Sequence, residues 1–301
     1  MKKISYPHPS LTVTEQINLL QAKGLLISEP DAAEHWLSHI SYFRFKNYSY
    51  SFKDYKNAGG NYFPGTSFKT IKDLYAFDKK LRISVFDAIE NIEISVKTRI
   101  SNIMSGAYGP HWYLDYRHFF SGRGFNHQKF LKHIKDGLLQ TSEPILQHYR
   151  KTYDPIFPPS WMLMEMITFR TLSIMFENLV PSAQKVQICN SFNLIKRQLV
   201  SWLQCFSFIR NKCAHHARLV YSKAIFPPSL PKRENRKFLA DDIDNTTLYA
   251  VLSCLQYMLT ICNPTSPFKQ NILSLTSEFP LINLQKLGFT PNWKQEKLWL
   301  P

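Results

Sequence analysis

Glycine and acidic residues are both scarce in this sequence. Its 301 residues include only 10 glycines, which is few for a glycine-rich nucleotide-binding α/β fold or a β-barrel. Asp and Glu number 22 against 37 Lys and Arg, which leaves a formal net charge of +15. A positive excess of this size predicts a polyanionic partner, either nucleic acid or an acidic membrane surface.

Cysteine pairs and long hydrophobic runs are also missing. The 5 cysteines are widely spaced and form no Cys-x-x-Cys motif, which argues against a disulfide framework or a zinc ribbon. The most apolar stretch, 248–262, is too short to span a bilayer and contains polar residues, so we expect a buried helix there. The basic residues at 1–7 precede no apolar region, so no secretory signal is expected. These features predict a cytoplasmic protein without a membrane segment.

Apolar residues recur every three or four positions along most of the chain, which predicts an all-α protein. The longest such pattern covers 69–104 and predicts one amphipathic helix of roughly 50 Å. Thr12 and Glu15 have the spacing of a capping box, and the helix that they begin is expected to end near Gly24. The aromatic segment 42–52 stays open between strand and helix. Further helices are expected at 126–140, 143–153, 161–179, 182–191, 195–223, 246–262 and 267–277. Since no repeat or flexible linker is evident, we predict a single domain over residues 1–301.

The helix expected at 195–223 carries the most informative pattern. At about 100° per residue, one narrow apolar stripe forms and must face the core. Its members are Leu199, Trp202, Phe206, Ile209 and Cys213. Asn211 and His215 share the opposite face, with Arg218 three residues further on. Arg210 lies near the edge of the stripe, and its long side chain can reach the polar group.

These residue types suit the cleavage of an RNA phosphodiester by the adjacent 2′-hydroxyl. An imidazole moves protons near neutral pH, and a guanidinium holds a phosphate through paired hydrogen bonds. His215, Arg210 and Asn211 are therefore the candidate catalytic residues. Neither a metal ion nor another cofactor is required by this chemistry.

The surroundings of this group are strongly basic. No Asp or Glu occurs between Glu177 and Glu234, whereas nine Lys and Arg residues do. An RNA bound there is expected to show a marked salt dependence. The candidate RNA-binding residues are Lys196, Arg197, Lys212, His216, Arg218 and Lys223.

From spacing alone, two interpretations of this helix stay open, a catalytic face and an ordinary solvated basic face. A metal site is disfavoured in both. Cys213 and His216 supply only two candidate ligands, and no second pair is evident. Acidic residues of the long helix, which include Asp78 and Glu93, are expected to be solvated or paired with lysines and arginines at helical spacing.

Residues 209–219 read Ile-Arg-Asn-Lys-Cys-Ala-His-His-Ala-Arg-Leu. This run closely resembles the signature of the Abi-like abortive-infection proteins of bacteria, of the D/F type. Blocks at 14–17, 40–44, 74–78 and 159–161 resemble the same family in the same order, although Phe43 stands where the family has a second tyrosine. The resemblance extends over about residues 10–225.

That family is similar to the HEPN superfamily, whose Arg–His motif forms a metal-independent endoribonuclease site. The resemblance implies a HEPN-like helical bundle with N-terminal and C-terminal helical additions. It also implies an abortive-infection toxin with catalytic Arg210 and His215, supported by Asn211, in a homodimer that takes one motif from each copy. We expect Phe208 and Leu219 to be covered by the partner copy.

The resemblance further implies an RNA partner beyond the substrate, a small noncoding RNA that binds or restrains the toxin. Because inactive relatives exist, a non-catalytic RNA-binding scaffold is the alternative. A DNA-binding regulator is less favoured, since no helix-turn-helix pattern is evident.

Overall fold

The computed structural model of the chain describes residues 9–56, 59–120, 124–154, 156–231, 238–239 and 243–300. Within these residues, twelve α-helices and one short β-hairpin form, and the all-α prediction is confirmed. The basic start of the chain at 1–7 and the cations Lys232 and Arg233 lie outside the described residues.

Eight of the eleven connections between consecutive helices have seven residues or fewer, and the other three, 50–67, 109–126 and 215–247, are longer. Their bounds are α1 Val13–Ala22, α2 Pro30–His39, α3 Tyr42–Ser49, α4 Phe68–Tyr108, α5 His127–Gln140, α6 Pro144–Thr152, α7 Ser160–Met166, α8 Phe169–Asn178, α9 Ala183–Asn190, α10 Lys196–Ala214, α11 Leu248–Cys262 and α12 Phe268–Glu278. The hairpin pairs β1 Lys53–Asp54 with β2 Asn61–Tyr62 in antiparallel register.

Local sequence signals explain where several of these helices begin. The Thr12 side chain accepts from the Glu15 backbone, and the Glu15 carboxylate accepts from the Thr12 backbone at 2.7 Å, so the predicted capping box is present. The segment expected as one helix at 161–179 is instead two helices. Thr168 caps the start of α8 through a hydrogen bond from the Thr171 backbone to its hydroxyl, which separates α8 from α7. The ambiguous segment 42–52 is helical, with α3 followed by a 3₁₀ turn.

The chain divides into two compact units. One comprises Met1–Lys80 with Leu275–Ile282, and the other comprises Leu81–Ser274 with Asn283–Pro301. The boundary falls inside α4, so the chain passes from one unit to the other without a linker. The expectation of one domain stays a prediction.

Aromatic rings fill the interior of the first unit. Trp36 meets Phe45 edge-on at 5.8 Å between ring centroids, and Phe45 stacks on Phe68 at 4.7 Å. Beside them, the buried Tyr48 hydroxyl donates to the Asp78 carboxylate at 2.6 Å. A buried carboxylate needs such donors, because burial without hydrogen bonds is costly.

In the second unit, α8 packs against α10, and α11 is buried over most of its length. The interior position of α11 confirms the buried helix expected at 248–262. The apolar side of α4 is buried as its sequence period predicts, with Val85, Ile89, Ile92 and Val96 fully covered. These helices form the part of the second unit against which α10 lies.

Candidate functional site

α10 turns one apolar face to the interior of its unit. Leu199, Trp202, Phe206, Ile209 and Cys213 are all buried, so the apolar stripe predicted from the sequence is confirmed. The opposite face is left to polar side chains, among them Gln204 and Asn211.

α10 ends at Ala214, well before the end predicted at residue 223. His215 is the C-cap, and His216 has a left-handed backbone with φ of 55°. The His216 N–H donates to the Cys213 carbonyl at 3.1 Å, and the Ala217 N–H donates to the Lys212 carbonyl at 2.8 Å. This pair of bonds is the Schellman motif that closes many helices, and a left-handed residue cannot continue a right-handed helix. The helical prediction is therefore wrong beyond Ala214.

The early end of α10 changes which residues surround the motif. Arg218 lies outside the helix, so it does not stack one turn beyond His215 as the sequence predicts. Leu219 is buried within its own chain, so the expectation that a partner copy covers it is wrong. Phe208 is half-buried, and its ring meets that of Phe226 at 5.6 Å.

Arg210 and Asn211 are held together at the last turns of α10. Nη1 of Arg210 donates to Oδ1 of Asn211 at 3.2 Å. The guanidinium carbon lies 6.0 Å from the ring centroid of Phe86, which belongs to α4. A planar cation beside an aromatic face is attracted by the ring's quadrupole. Arg210 thus has two neighbours that restrict its side chain, and it is still partly exposed.

His215 lies one helical turn after Asn211, and the His215 N–H donates to the Asn211 carbonyl at 3.0 Å. Both His215 and His216 are exposed. An exposed imidazole at the end of a helix is accessible to a large ligand such as a nucleic acid, whereas a buried one is not.

Lys212 connects the helix to the segment that follows it. Its ammonium donates to the Ser222 hydroxyl at 2.8 Å, and that hydroxyl donates to the Leu219 carbonyl at 2.7 Å. Tyr221, next to Ser222, also has a left-handed backbone, with φ of 53°. These bonds fold the segment after α10 back toward the helix, so the cationic motif lies on a defined turn.

The remaining predicted cations near the motif lie in different surroundings. Burial raises the pKa of Tyr221, and the positive charge of Arg218 opposes this, which places Arg218 near that phenol. Lys223 is exposed and lies 3.8 Å from the Asp244 carboxylate. The sequence contains no Asp or Glu between Glu177 and Glu234, but in the structure the Asp244 carboxylate lies near this stretch.

Lys196 and Arg197 lie at the other end of α10. Thirteen residues separate Arg197 from Arg210, which corresponds to about 20 Å along the helix. The Lys196 ammonium lies 5.9 Å from the ring centroid of Phe120. Arg210, Asn211, Lys212 and the two histidines therefore lie on the last turns of α10 and its cap, whereas Lys196 and Arg197 lie at the other end of the helix.

Sequence reasoning missed three residues of this region, namely Phe86, Phe120 and Ser222. Phe86 is an apolar residue outside the period of α4 that faces the core. This position is the only signal in the sequence that its ring has a contact elsewhere. Phe120 and Ser222 come from segments without a regular period, so their positions depend on tertiary contacts.

Asp78 and Glu93, the α4 carboxylates that the sequence analysis expects to be solvated or paired, both have partners. Glu93 pairs with the Lys97 ammonium at 2.9 Å, and Asp78 accepts from Tyr48. In the part of the chain that the structure describes, no three His, Cys, Asp or Glu side chains gather as metal ligands do. Over the same residues, no helix combines the length and the apolar character that crossing a bilayer requires.

Comparison with known proteins assigns the chain to a family. Neither the curated proteins nor the solved structures include a significant match to the chain. The sequence pattern of the Abi-like protein family matches residues 35–221, which include α10 and the motif at its end. Since the match covers more than half of the 301 residues, the chain belongs to the Abi-like protein family.

Proposed function

We propose that this chain is a metal-independent endoribonuclease of HEPN type and the toxin of an abortive-infection system. Its family indicates a part in abortive infection. The observation that carries the ribonuclease proposal is the pairing of Arg210 with Asn211 at 3.2 Å, one turn before the exposed imidazole of His215.

The proposed reaction uses each of these groups for one task. The 2′-oxygen attacks the adjacent phosphorus, so an O2′–P bond forms while the P–O5′ bond breaks. The proton of the 2′-hydroxyl must be accepted, and the departing 5′-oxygen must receive one. His215 performs the proton transfers, and Arg210 holds the phosphate as its negative charge rearranges. Asn211 orients Arg210, and the products are a 2′,3′-cyclic phosphate and a 5′-hydroxyl.

A homodimer supplies both of the proton-transfer groups that this reaction needs. One chain offers a single His215, whereas two copies offer one imidazole to accept a proton and another to donate one. The outer side of α4 supports this arrangement. Ile83, Phe86 and Ile94 are exposed on it, and Phe86 is the residue that contacts Arg210. An apolar strip beside the motif is the kind of surface that a second copy buries.

RNA is the polyanion that we propose for the excess positive charge of the chain. The same cations that bind a substrate also suit a small noncoding RNA that restrains the toxin. Binding of either RNA is expected to weaken as the salt concentration rises, because each phosphate contact releases counterions.

The test incubates purified wild type, Arg210→Ala and His215→Ala with total RNA in the presence of EDTA. We expect wild type to cleave and both variants to be inactive, with 2′,3′-cyclic phosphate ends on the fragments. His148→Ala serves as the matched control, because His148 is an exposed histidine on α6. It should cleave like wild type.

Three results would count against the mechanism. Cleavage that survives in both motif variants places the activity elsewhere, and cleavage that EDTA abolishes indicates a metal-dependent enzyme. Tight RNA binding without cleavage, together with growth arrest that His215→Ala leaves unchanged, favours the RNA-binding scaffold instead.

A further inference from the structure

A pocket of about 450 Å³ lies at the N-terminal end of α10, away from the motif. Five of its lining residues have side chains that suit a nucleotide, namely Phe120, Glu177, Lys196, Arg197 and Gln204. All of them lie in the second unit, and none is assigned to the catalytic group.

Backbone hydrogen bonds fix the position of Phe120 in the pocket lining. Phe119 and Leu179 form an antiparallel bridge, and the Phe120 N–H donates to the Asn178 carbonyl at 2.9 Å. Phe120 is 40% exposed. An exposed aromatic ring on an anchored backbone is a platform on which a base can stack.

Two cations border this ring. Lys196 lies over it at 5.9 Å, and Arg197 is the next residue along α10. Aromatic rings with adjacent cations are how proteins hold single-stranded nucleic acid, since the ring takes the base and the cations take the phosphates.

Two residues that line the pocket, Glu177 and Gln204, present hydrogen-bond acceptors. Nε2 of Gln204 donates to Oε2 of Glu177 at 2.9 Å, which orients both side chains. This bond uses one of the two N–H groups of the Gln204 amide, and the pair presents the Glu177 carboxylate and the Gln204 amide oxygen as acceptors to a ligand. Such acceptors match the exocyclic amino groups of adenine, cytosine and guanine, and uracil has no such group.

The pocket and the motif lie on the same side of α10. Arg197, Gln204, Asn211 and His215 follow one another at seven, seven and four residues, a spacing that keeps them on one face of a helix. Arg197 and the cap residue His215 are eighteen residues apart, about 27 Å along this face, so the face is long enough for a strand of a few nucleotides between the pocket and His215.

We propose that this pocket is a base-binding subsite for single-stranded RNA, in which Phe120 stacks on an amino-bearing base, Glu177 and Gln204 accept from its amino group, and Lys196 and Arg197 hold the flanking phosphates. The inference rests on the proposed ribonuclease function, whose substrate it specifies. It gives the enzyme a preference for the sequence beside the cleaved bond.

The test measures binding by fluorescence anisotropy with 2′-O-methyl oligonucleotides of equal length, one of cytidine and one of uridine. These bases have rings of equal size, and the methyl group blocks the attacking 2′-oxygen, so cleavage does not disturb the measurement. We expect wild type to bind the cytidine oligonucleotide about tenfold more tightly, in the range of a lost stacking or hydrogen-bonding contact to one base.

Two variants separate the contributions of the pocket. Phe120→Leu should weaken the binding of both oligonucleotides by about tenfold, the scale of base stacking on an aromatic ring. Tyr116→Leu, at an exposed aromatic residue outside the pocket, is the matched control and should bind like wild type. Glu177→Gln should reduce the ratio of the two affinities toward one, because the new amide also donates to the uracil oxygens.

The outcomes distinguish this inference from the proposed function. Equal affinity of wild type for the two oligonucleotides, or unchanged binding by Phe120→Leu, overturns the base-binding pocket while cleavage at His215 stands. Failure of wild type to bind either oligonucleotide also overturns the pocket, and the cleavage assay in EDTA then decides the proposed function by itself. Circular dichroism of each variant verifies that it is folded.

Discussion

The guanidinium of Arg210 lies between the side-chain oxygen of Asn211, at 3.2 Å, and the ring of Phe86, at 6.0 Å from the ring centroid. The first contact comes from the neighbouring residue of α10 and the second from α4. A long, flexible side chain is thereby restricted on the last turns of α10, five residues before the exposed His215. A restricted guanidinium loses less conformational freedom when it binds a phosphate.

Replacing Asn211 by alanine removes the acceptor that holds Arg210. We expect the single-turnover rate of RNA cleavage to fall by about tenfold, because a misplaced phosphate-binding group weakens transition-state stabilisation. The melting temperature should change little, since Asn211 is partly exposed. Asn102→Ala, at an exposed position of α4, is the control and should cleave normally. An Asn211→Ala variant with the wild-type rate contradicts the orienting role.

Phe86 is expected to position Arg210 without touching the substrate. Phe86→Ala removes an attraction of about 1 kcal/mol, so kcat should fall by about fivefold while KM stays nearly constant. Phe86 is 36% exposed, so the free energy of unfolding should fall much less than on loss of a core aromatic residue. Leu139→Ala provides an exposed apolar control on α5. A rise in KM with an unchanged kcat would show that the ring contributes to binding alone.

The left-handed backbone of His216 gives a stability test. A β-branched residue resists this conformation by about 1–2 kcal/mol, whereas glycine adopts it readily. His216→Gly should therefore melt at a higher temperature than His216→Val, although both lose the imidazole. Thermal unfolding followed by circular dichroism measures the difference. Equal melting temperatures would mean that the turn after α10 does not require this backbone.

Exposed apolar residues of α4 are expected to hold the second copy. Ile94 is 57% exposed, so Ile94→Asp should leave the fold intact while it places a charge in the interface. We expect the dimer to dissociate in light scattering and cleavage to be lost with it. Ile145→Asp, at an exposed position of α6, should change neither. A fully active monomer of Ile94→Asp would refute the shared site.

The buried ammonium of Lys185 makes the free energy of unfolding depend on pH in alkaline solution. The residue is 2% exposed, and its ammonium donates to the carbonyl of Glu177 at 2.9 Å. Burial, aided by the charge of Lys196, lowers its pKa from 10.5 to about 8. Between these values, the unfolded chain retains a proton that the folded chain releases, so a rise in pH favours the folded state.

The stability of wild type relative to Lys185→Met should therefore rise from about pH 8 to pH 10.5 and be constant below that range. Urea unfolding at a series of pH values measures both proteins under the same conditions. A difference that stays flat or falls over this window would show that the amine of Lys185 is not desolvated in the fold.

The sequence predicted those features that depend on a repeating local pattern. The apolar period of α4 and the buried stripe of α10 follow from helical geometry, and the capping box at Thr12 follows from two residue types at one spacing. Each of these signals is contained within a single element, so no tertiary information is needed to read it.

The end of α10 could not be predicted in the same way. The stretch from Ala214 to Ala217 contains neither glycine nor proline, which usually mark a helix end, and a histidine takes the left-handed position instead. The contact of Phe86 with Arg210 joins residues more than a hundred positions apart. The backbone conformation at His216 decides the first feature and tertiary packing decides the second, and a periodic pattern carries no information about either.

Because α10 ends where the motif lies, a phosphate that approaches His215 meets the carbonyl end of a helix dipole, which repels anions. The turn reduces this repulsion, since the carbonyls of Asn211, Lys212 and Cys213 each accept a backbone N–H. The nearby cations must still outweigh it. Loss of a single positive charge here is therefore expected to affect RNA binding more than the same loss at the opposite end of α10.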